Sequence, residues 1–69
     1  MSGKANTTRQ FGQRHLVSAR GHIEQCGQRL FAFSELYQEV HPELSIPVDQ
    51  ALELLKLADA IIAKIEQEV

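Results

Sequence analysis

The segment VHPELSIP at residues 40–47 separates two long stretches of helical periodicity and decides how the chain folds. Pro42 disfavours helical geometry at His41, so a first helix is expected to end there. Ser45 is a candidate cap for a second helix, because its hydroxyl can accept a bond from an unpaired amide of the first turn. Pro47 would then lie in that turn, where its missing amide costs nothing. The segment therefore predicts an all-α, two-helix antiparallel hairpin.

Both flanks of this turn repeat apolar residues at alternating intervals of three and four. The row in the first flank is Leu16, Ala19, Ile23, Cys26, Leu30, Phe33, Tyr37 and Val40. The row in the second flank is Val48, Ala51, Leu55, Ala58, Ile62, Ile65 and Val69. This spacing keeps one stripe of each helix facing a partner helix. The first row stays in register across Gly21, which predicts one continuous first helix, with a break at Gly21 as the alternative.

The chain divides into a short arm and a single domain. Residues 1–7 are polar and predict a disordered N-terminal arm, and residues 8–69 form the helical hairpin domain. Thr7 and Gln10 fit a capping box, so the first helix is expected to start near Thr8. The first helix is the longer one, so its N-terminal part should overhang the second helix.

The second helix is apolar around more of its circumference than one partner helix can cover, because Leu52, Leu54, Leu57 and Ile61 add to its row. A chain of 69 residues has a thin margin of stability. Its single cysteine cannot form an intramolecular disulfide. We therefore expect a homodimer that forms a four-helix bundle. The residues expected in the core or dimer interface are Leu30, Phe33, Tyr37, Leu52, Leu55 and Ile62.

Charge is distributed unevenly along the chain. Residues 1–30 contain five basic residues and one acid, whereas residues 31–69 contain eight acids and two lysines. Such polarity favours oriented docking on charged partners, although solvated faces produce the same pattern. The pI of about 5.8 and the absence of a helix-turn-helix pattern argue against direct binding of nucleic acid.

The sequence shows no motif for catalysis, a cofactor or a metal. His22 and Cys26 are four residues apart and could form a thiolate and base pair or two metal ligands. No third group follows at a suitable spacing, and Cys26 is interpreted as a small apolar filler of the row. A two-helix hairpin is also expected to lack a pocket in which Glu35 and Glu39 could act as acid and base. We therefore expect that the protein is not an enzyme.

The expected location is the cytoplasm. A single cysteine is usual in a reducing compartment, and the polar N-terminus does not resemble a secretory signal. The apolar runs are far shorter than the roughly 20 residues that span a bilayer, so no membrane segment is expected.

Part of the first helix is not explained by stability. Glu35 and Glu39 repel each other at an interval of four, and Phe31 and Leu36 lie outside the apolar row. These features predict a surface that binds another protein. The residues expected to bind a partner are Phe31, Glu35, Leu36, Glu39, Glu43, Arg14 and Arg20.

The length of the chain, its basic first helix, the turn at residues 40–47 and the apolar helix at residues 52–65 together resemble the quorum-sensing anti-activator proteins of Mu-like Pseudomonas phages. The resemblance covers the whole chain. It implies a phage protein of the host cytoplasm that binds the host's LuxR-type transcription activator and blocks its DNA binding. It also implies binding to the assembly ATPase of type IV pili, which stops pilus extension and so excludes other phages.

Two other functions fit the same features. An anti-CRISPR protein, or another protein-interaction module, would also be small and acidic. A small regulator could instead bind nucleic acid through the Arg-rich end of the first helix.

Overall fold

The computed structural model describes the backbone of residues 2–69 and the side chains of residues 8–69. Helix α1 spans Ser2–Tyr37, a 3-10 turn spans Pro42–Leu44, and helix α2 spans Ser45–Glu68. Across residues 2–69 the chain is helical and contains no strand. Early residues of α1 meet late residues of α2, so the two helices pack antiparallel. The predicted all-α helical hairpin is confirmed.

Helix α1 is continuous across Gly21, as the uninterrupted row predicts, and the alternative with a break there is wrong. The helix starts earlier than predicted, because Thr8 lies well inside it. Met1 and the side chains of residues 1–7 lie outside the described part of the chain. The predicted disordered arm over these residues therefore stays a prediction.

Backbone hydrogen bonds hold the turn between the helices, one of them from the amide of Ser45 to the carbonyl oxygen of Pro42. The amide of His41 donates to the carbonyl oxygen of Tyr37 at 2.8 Å, and the amide of Leu44 donates to the carbonyl oxygen of His41 at 3.1 Å. Pro47 lies in the first turn of α2, as predicted. The predicted cap at Ser45 is wrong, because Ser45 is already helical and the residue before α2 makes no side-chain capping bond.

The row of α1 that faces α2 differs from the predicted one in its second half. Gly27 and Ser34 are partly buried, whereas Cys26 and Phe33 are exposed. The reason is geometric, since a straight helix drifts by about 20° per heptad relative to a repeat of 3.5 residues. A Cβ atom placed on Gly27 would lie 3.9 Å from both Leu52 Cδ2 and Leu55 Cδ1. Gly27 therefore faces α2 and lies against Leu52 and Leu55.

The row predicted for α2 agrees better with the structure. Its first five residues, and also Leu52, are buried or partly buried against α1. Ile65 and Val69 at its end are exposed, and Glu66 takes the inward position. Of the residues expected in the core or dimer interface, the structure places four between the helices and leaves Phe33 and Tyr37 exposed. The four are Leu30, Leu52, Leu55 and Ile62.

The single chain has almost no core. Val48 is the one buried apolar residue among residues 8–69, with 7% of its surface exposed. The hairpin measures 60 × 16 × 10 Å between its Cα atoms, so it is one layer thick. Its solvent-accessible surface is 5810 Å², whereas that of a compact monomer of 7.8 kDa is about 4,400 Å².

Neither described helix is long and apolar enough to cross a bilayer.

Candidate functional site

An open groove runs between the helices on one face of the hairpin, with a volume of ≈ 860 Å³. The charged residues that line it are Arg20, Glu24, Asp49, Glu53, Lys56, Asp59 and Glu66. Five of these seven side chains are carboxylates, so we call this side of the hairpin the acidic face. The groove is open to solvent, and neither Glu35 nor Glu39 lines it.

An ion pair links the two helices at one end of the groove. Arg20 Nε donates to Asp59 Oδ1 at 2.9 Å, and Arg20 Nη1 donates to Glu66 Oε1 at 3.4 Å. The hydrogen bond from Arg20, together with its charge, holds the pKa of Asp59 below its ordinary value, although partial desolvation opposes this. Arg20, which the sequence predicts to bind a partner, is thus engaged within its own chain.

The opposite side of the hairpin is apolar. Successive residues lie about 100° apart around a helix, so residues on the other side of each contact row point away from the groove. The apolar residues of this side, which we call the apolar face, are Ala19, Cys26, Phe33 and Tyr37 from α1, and Ala51, Leu54, Ala58, Ile61 and Ile65 from α2. On α1 the polar residues His22 and Arg29 lie beside Cys26 and Phe33. Leu54 and Ile61 are 66% and 58% exposed. No described residue covers this face.

Five of the residues predicted to bind a partner lie toward the end of the hairpin that contains the turn, which we call the closed end. They lie on different sides of the hairpin. Phe31 and Glu35 are one helical turn apart and flank the acidic face, and Phe31 is 59% exposed. Leu36 points away from α2 and is 76% exposed. Glu39 follows the end of α1, and Glu43 Oε1 lies 3.0 Å from Nδ1 of His41.

The basic end of α1 is separate from this acidic end. The guanidinium carbon of Arg14 lies 5.9 Å from the centre of the Phe11 ring, a cation–π contact. Arg14 and Glu35 are 21 positions apart on one continuous helix, a distance of about 31 Å along its axis. One small patch therefore cannot contain both residues, and the predicted site residues form at least two surfaces.

None of the five acids that line the groove is among the predicted site residues. These acids are Glu24, Asp49, Glu53, Asp59 and Glu66. A signal was present in the sequence, because Asp49 and Glu53 each directly follow an apolar residue that faces α1. Acids in that position must flank the contact between the helices.

The described residues do not indicate a metal centre. Within residues 8–69, no group of three or more His, Cys, Asp or Glu side chains is close enough together to hold an ion. His22 and Cys26 are both exposed and line a shallow depression of α1 together with Leu30 and Phe33. Cys26 therefore does not fill the contact between the helices of the single chain, contrary to the prediction.

Comparison of the chain with protein-family models, with curated proteins and with solved structures gives no match.

Proposed function

We propose that this chain is a non-catalytic inhibitor that works as a homodimer and binds a basic surface of a host protein through its acidic face and acidic end. The observation that carries the proposal is the division of the hairpin into two unlike faces. One face is apolar and suits permanent burial. The other is an acidic groove, which stays hydrated in isolation and suits a charged partner.

A second copy in a four-helix bundle would supply the burial that one chain lacks. Val48 alone is buried among residues 8–69, and the exposed surface exceeds that of a compact monomer by about 1,400 Å². A standard protein interface removes about 800 Å² per partner, and obligate homodimers remove more. The excess therefore falls in the range of an obligate homodimer.

The charge of the acidic face selects the partner. Carboxylates at the groove and at the closed end, with Phe31 beside them, match a surface that is basic because it binds phosphate. The DNA-binding domain of a LuxR-type activator has such a surface, and a protein docked there would exclude DNA. The assembly ATPase of type IV pili is the second proposed target. Both targets would be met in the host cytoplasm.

The alternative of a nucleic-acid-binding regulator is weakened by one contact. Arg20, which follows Arg9 and Arg14 along α1, has its guanidinium held by Asp59 and Glu66 and so adds little to a phosphate-binding surface. An anti-CRISPR role remains a rival, since a nucleic-acid channel in a CRISPR effector is also basic. The identity of the bound partner distinguishes the anti-CRISPR role from the proposed inhibition of a transcription activator.

The test is calorimetric titration of the homodimer with a purified LuxR-type DNA-binding domain at low salt. The variant Glu35→Lys with Glu39→Lys should keep its helicity, because exposed charges contribute little to folding. Its Kd should rise by roughly tenfold or more, which corresponds to about 1.4 kcal/mol. Glu35→Lys can be compared directly with Glu68→Lys, which makes the same change of charge at the other end of the hairpin and should bind like the native chain.

Two results would contradict the proposal. Equal Kd values for the native chain and the doubly reversed variant would mean that the acids form only a solvated face. A Kd that does not rise with salt concentration would mean that charge does not guide the docking. Arg9→Glu with Arg14→Glu then becomes the informative variant, because neither arginine belongs to the ion pair between the helices.

A further inference from the structure

We infer that the apolar face is covered by a second copy of this chain in one particular arrangement, with α2 lying antiparallel on α2 of the second copy and the two turns at opposite ends of the bundle. This inference rests on the proposed homodimer and specifies its interface. Two arrangements can join two such faces around a two-fold axis. The other one places α1 of each copy on α2 of its partner, with both turns at the same end.

The composition of the apolar face separates these arrangements. On α2 the face is an unbroken apolar row that includes Leu54, Ile61 and Ile65. On α1 the same face is mixed, since His22 and Arg29 share one surface depression with Cys26 and Phe33. Packing α1 on α2 would desolvate the histidine and arginine against leucine and isoleucine, which is unfavourable without hydrogen-bond partners.

Packing α2 on α2 keeps the histidine and arginine away from the apolar row of α2. The two apolar rows then cover each other, and the mixed rows of the two α1 helices meet at the side of the bundle. There the polar ends of long side chains such as Arg29 can reach water while their stems stay packed. Ala51 and Ala58 in the row are small and allow the two helices to approach closely.

The charge of the two ends favours the same arrangement. The end of α1 that overhangs α2 carries Arg9 and Arg14, whereas the closed end carries Glu35, Glu39 and Glu43. With the turns at opposite ends, the basic end of each copy lies beside the acidic end of the other. With both turns at one end, the like-charged ends would lie within about one Debye length of each other and repel.

The arrangement also determines where the acidic grooves of the two copies lie. Because the apolar face and the groove are on opposite sides of each hairpin, the bundle presents two equivalent grooves on its two outer surfaces. The homodimer should therefore bind two partner molecules. Neither groove is consumed by dimerisation.

The first measurement is the mass of the full chain by sedimentation equilibrium at micromolar concentration. The native chain should have the mass of a dimer. Ile61→Asp should shift the equilibrium to monomer or unfolded chain, and Leu36→Asp should not, because Leu36 lies outside both faces. A dimer that survives Ile61→Asp would overturn the inference, since the contact would then lie elsewhere.

The second measurement reports the orientation without disturbing the interface. A spin label is placed at the turn of a Cys26→Ala, Glu43→Cys variant, and the distance between the labels of the two copies is measured by pulsed electron resonance. With the turns at opposite ends the labels should be separated by at least the length of α2, whose 24 residues extend about 36 Å. A dimer with a label distance below about 20 Å, the width of a helical bundle, would overturn the inference while leaving the homodimer and its acidic face in place.

Discussion

Arg20 Nε lies 2.9 Å from Asp59 Oδ1, and this contact joins positions 39 residues apart in the sequence. It is the main polar link between α1 and α2 among the described residues, and Glu66 extends it by one further bond. Both side chains remain partly hydrated, with 39% and 38% of their surfaces exposed. The pair therefore sets the relative position of the helices more than it stabilises them.

The ion pair should make stability depend on pH in one direction. Because the pKa of Asp59 is lowered in the folded chain, its contribution is present above the unfolded value of about 3.9 and is lost as the pH falls through the lower folded value. Asp59→Asn should lower the melting temperature slightly at pH 7. The difference from the native chain should shrink as the pH falls through the lowered folded pKa of Asp59, because below it both states bind the proton.

The control for this prediction is Asp49→Asn, which removes an acid of the same helix that forms no ion pair with a described residue. Its melting temperature at pH 7 should stay close to that of the native chain. Melting curves followed by circular dichroism at one protein concentration measure both variants. Equal effects of the two substitutions would show that the contact with Arg20 adds nothing to stability.

Gly27 should respond to substitution according to the size of the new side chain. Gly27→Ala fits, because its Cβ would make ordinary van der Waals contact with Leu52 and Leu55, and it should stabilise the helix by up to about 1 kcal/mol. Gly27→Leu should destabilise the chain by about 1–3 kcal/mol, because the helices would have to separate.

Gly21 provides the matched comparison for Gly27. A Cβ at Gly21 would meet no atom within 4 Å, so Gly21→Ala and Gly21→Leu should both raise stability. Urea unfolding measures all four variants. If Gly27→Leu were as stable as Gly21→Leu, the close contact at Gly27 would not exist in solution.

Val48 should be the apolar position of α2 most sensitive to truncation within the single hairpin. It is the one buried apolar residue among residues 8–69, so Val48→Ala should lower the free energy of unfolding by about 2 kcal/mol. Leu36→Ala removes a larger but exposed side chain and should change it by less than about 0.5 kcal/mol. Urea unfolding at fixed protein concentration compares them, and the reverse order of effects would contradict the burial of Val48.

Cys26 should be replaceable. Its thiol is exposed in the hairpin and belongs to the apolar face, so a small apolar side chain can take its place. Cys26→Ala should retain helicity, dimer mass and partner binding, as measured by circular dichroism, sedimentation and calorimetry. Loss of partner binding in a variant that remains folded and dimeric would instead point to a reactive thiol.

Much of the fold could be predicted from local sequence. Pro42 and Pro47 locate the turn, and the apolar row that passes Gly21 without a shift predicts one continuous α1. The candidate site was less predictable. Glu35 conflicts with helix stability and Phe31 lies outside the row, so both stand out in the sequence. Asp49 and Glu53 cause no such conflict, and the only signal for them is that each follows an apolar residue that faces α1.

The two helices, the turn between them and the excess of apolar surface on α2 follow from residue types and spacings within a few turns of one helix. The packing of the helices is what turns Gly27 and Ser34, not Cys26 and Phe33, toward α2 and brings Arg20 to Asp59. The physical reason is that a helix of 36 residues accumulates a rotation relative to a seven-residue repeat, so its contact line depends on how straight it is and where its partner lies. Local spacing contains neither quantity, and both are fixed only when α1 and α2 pack together.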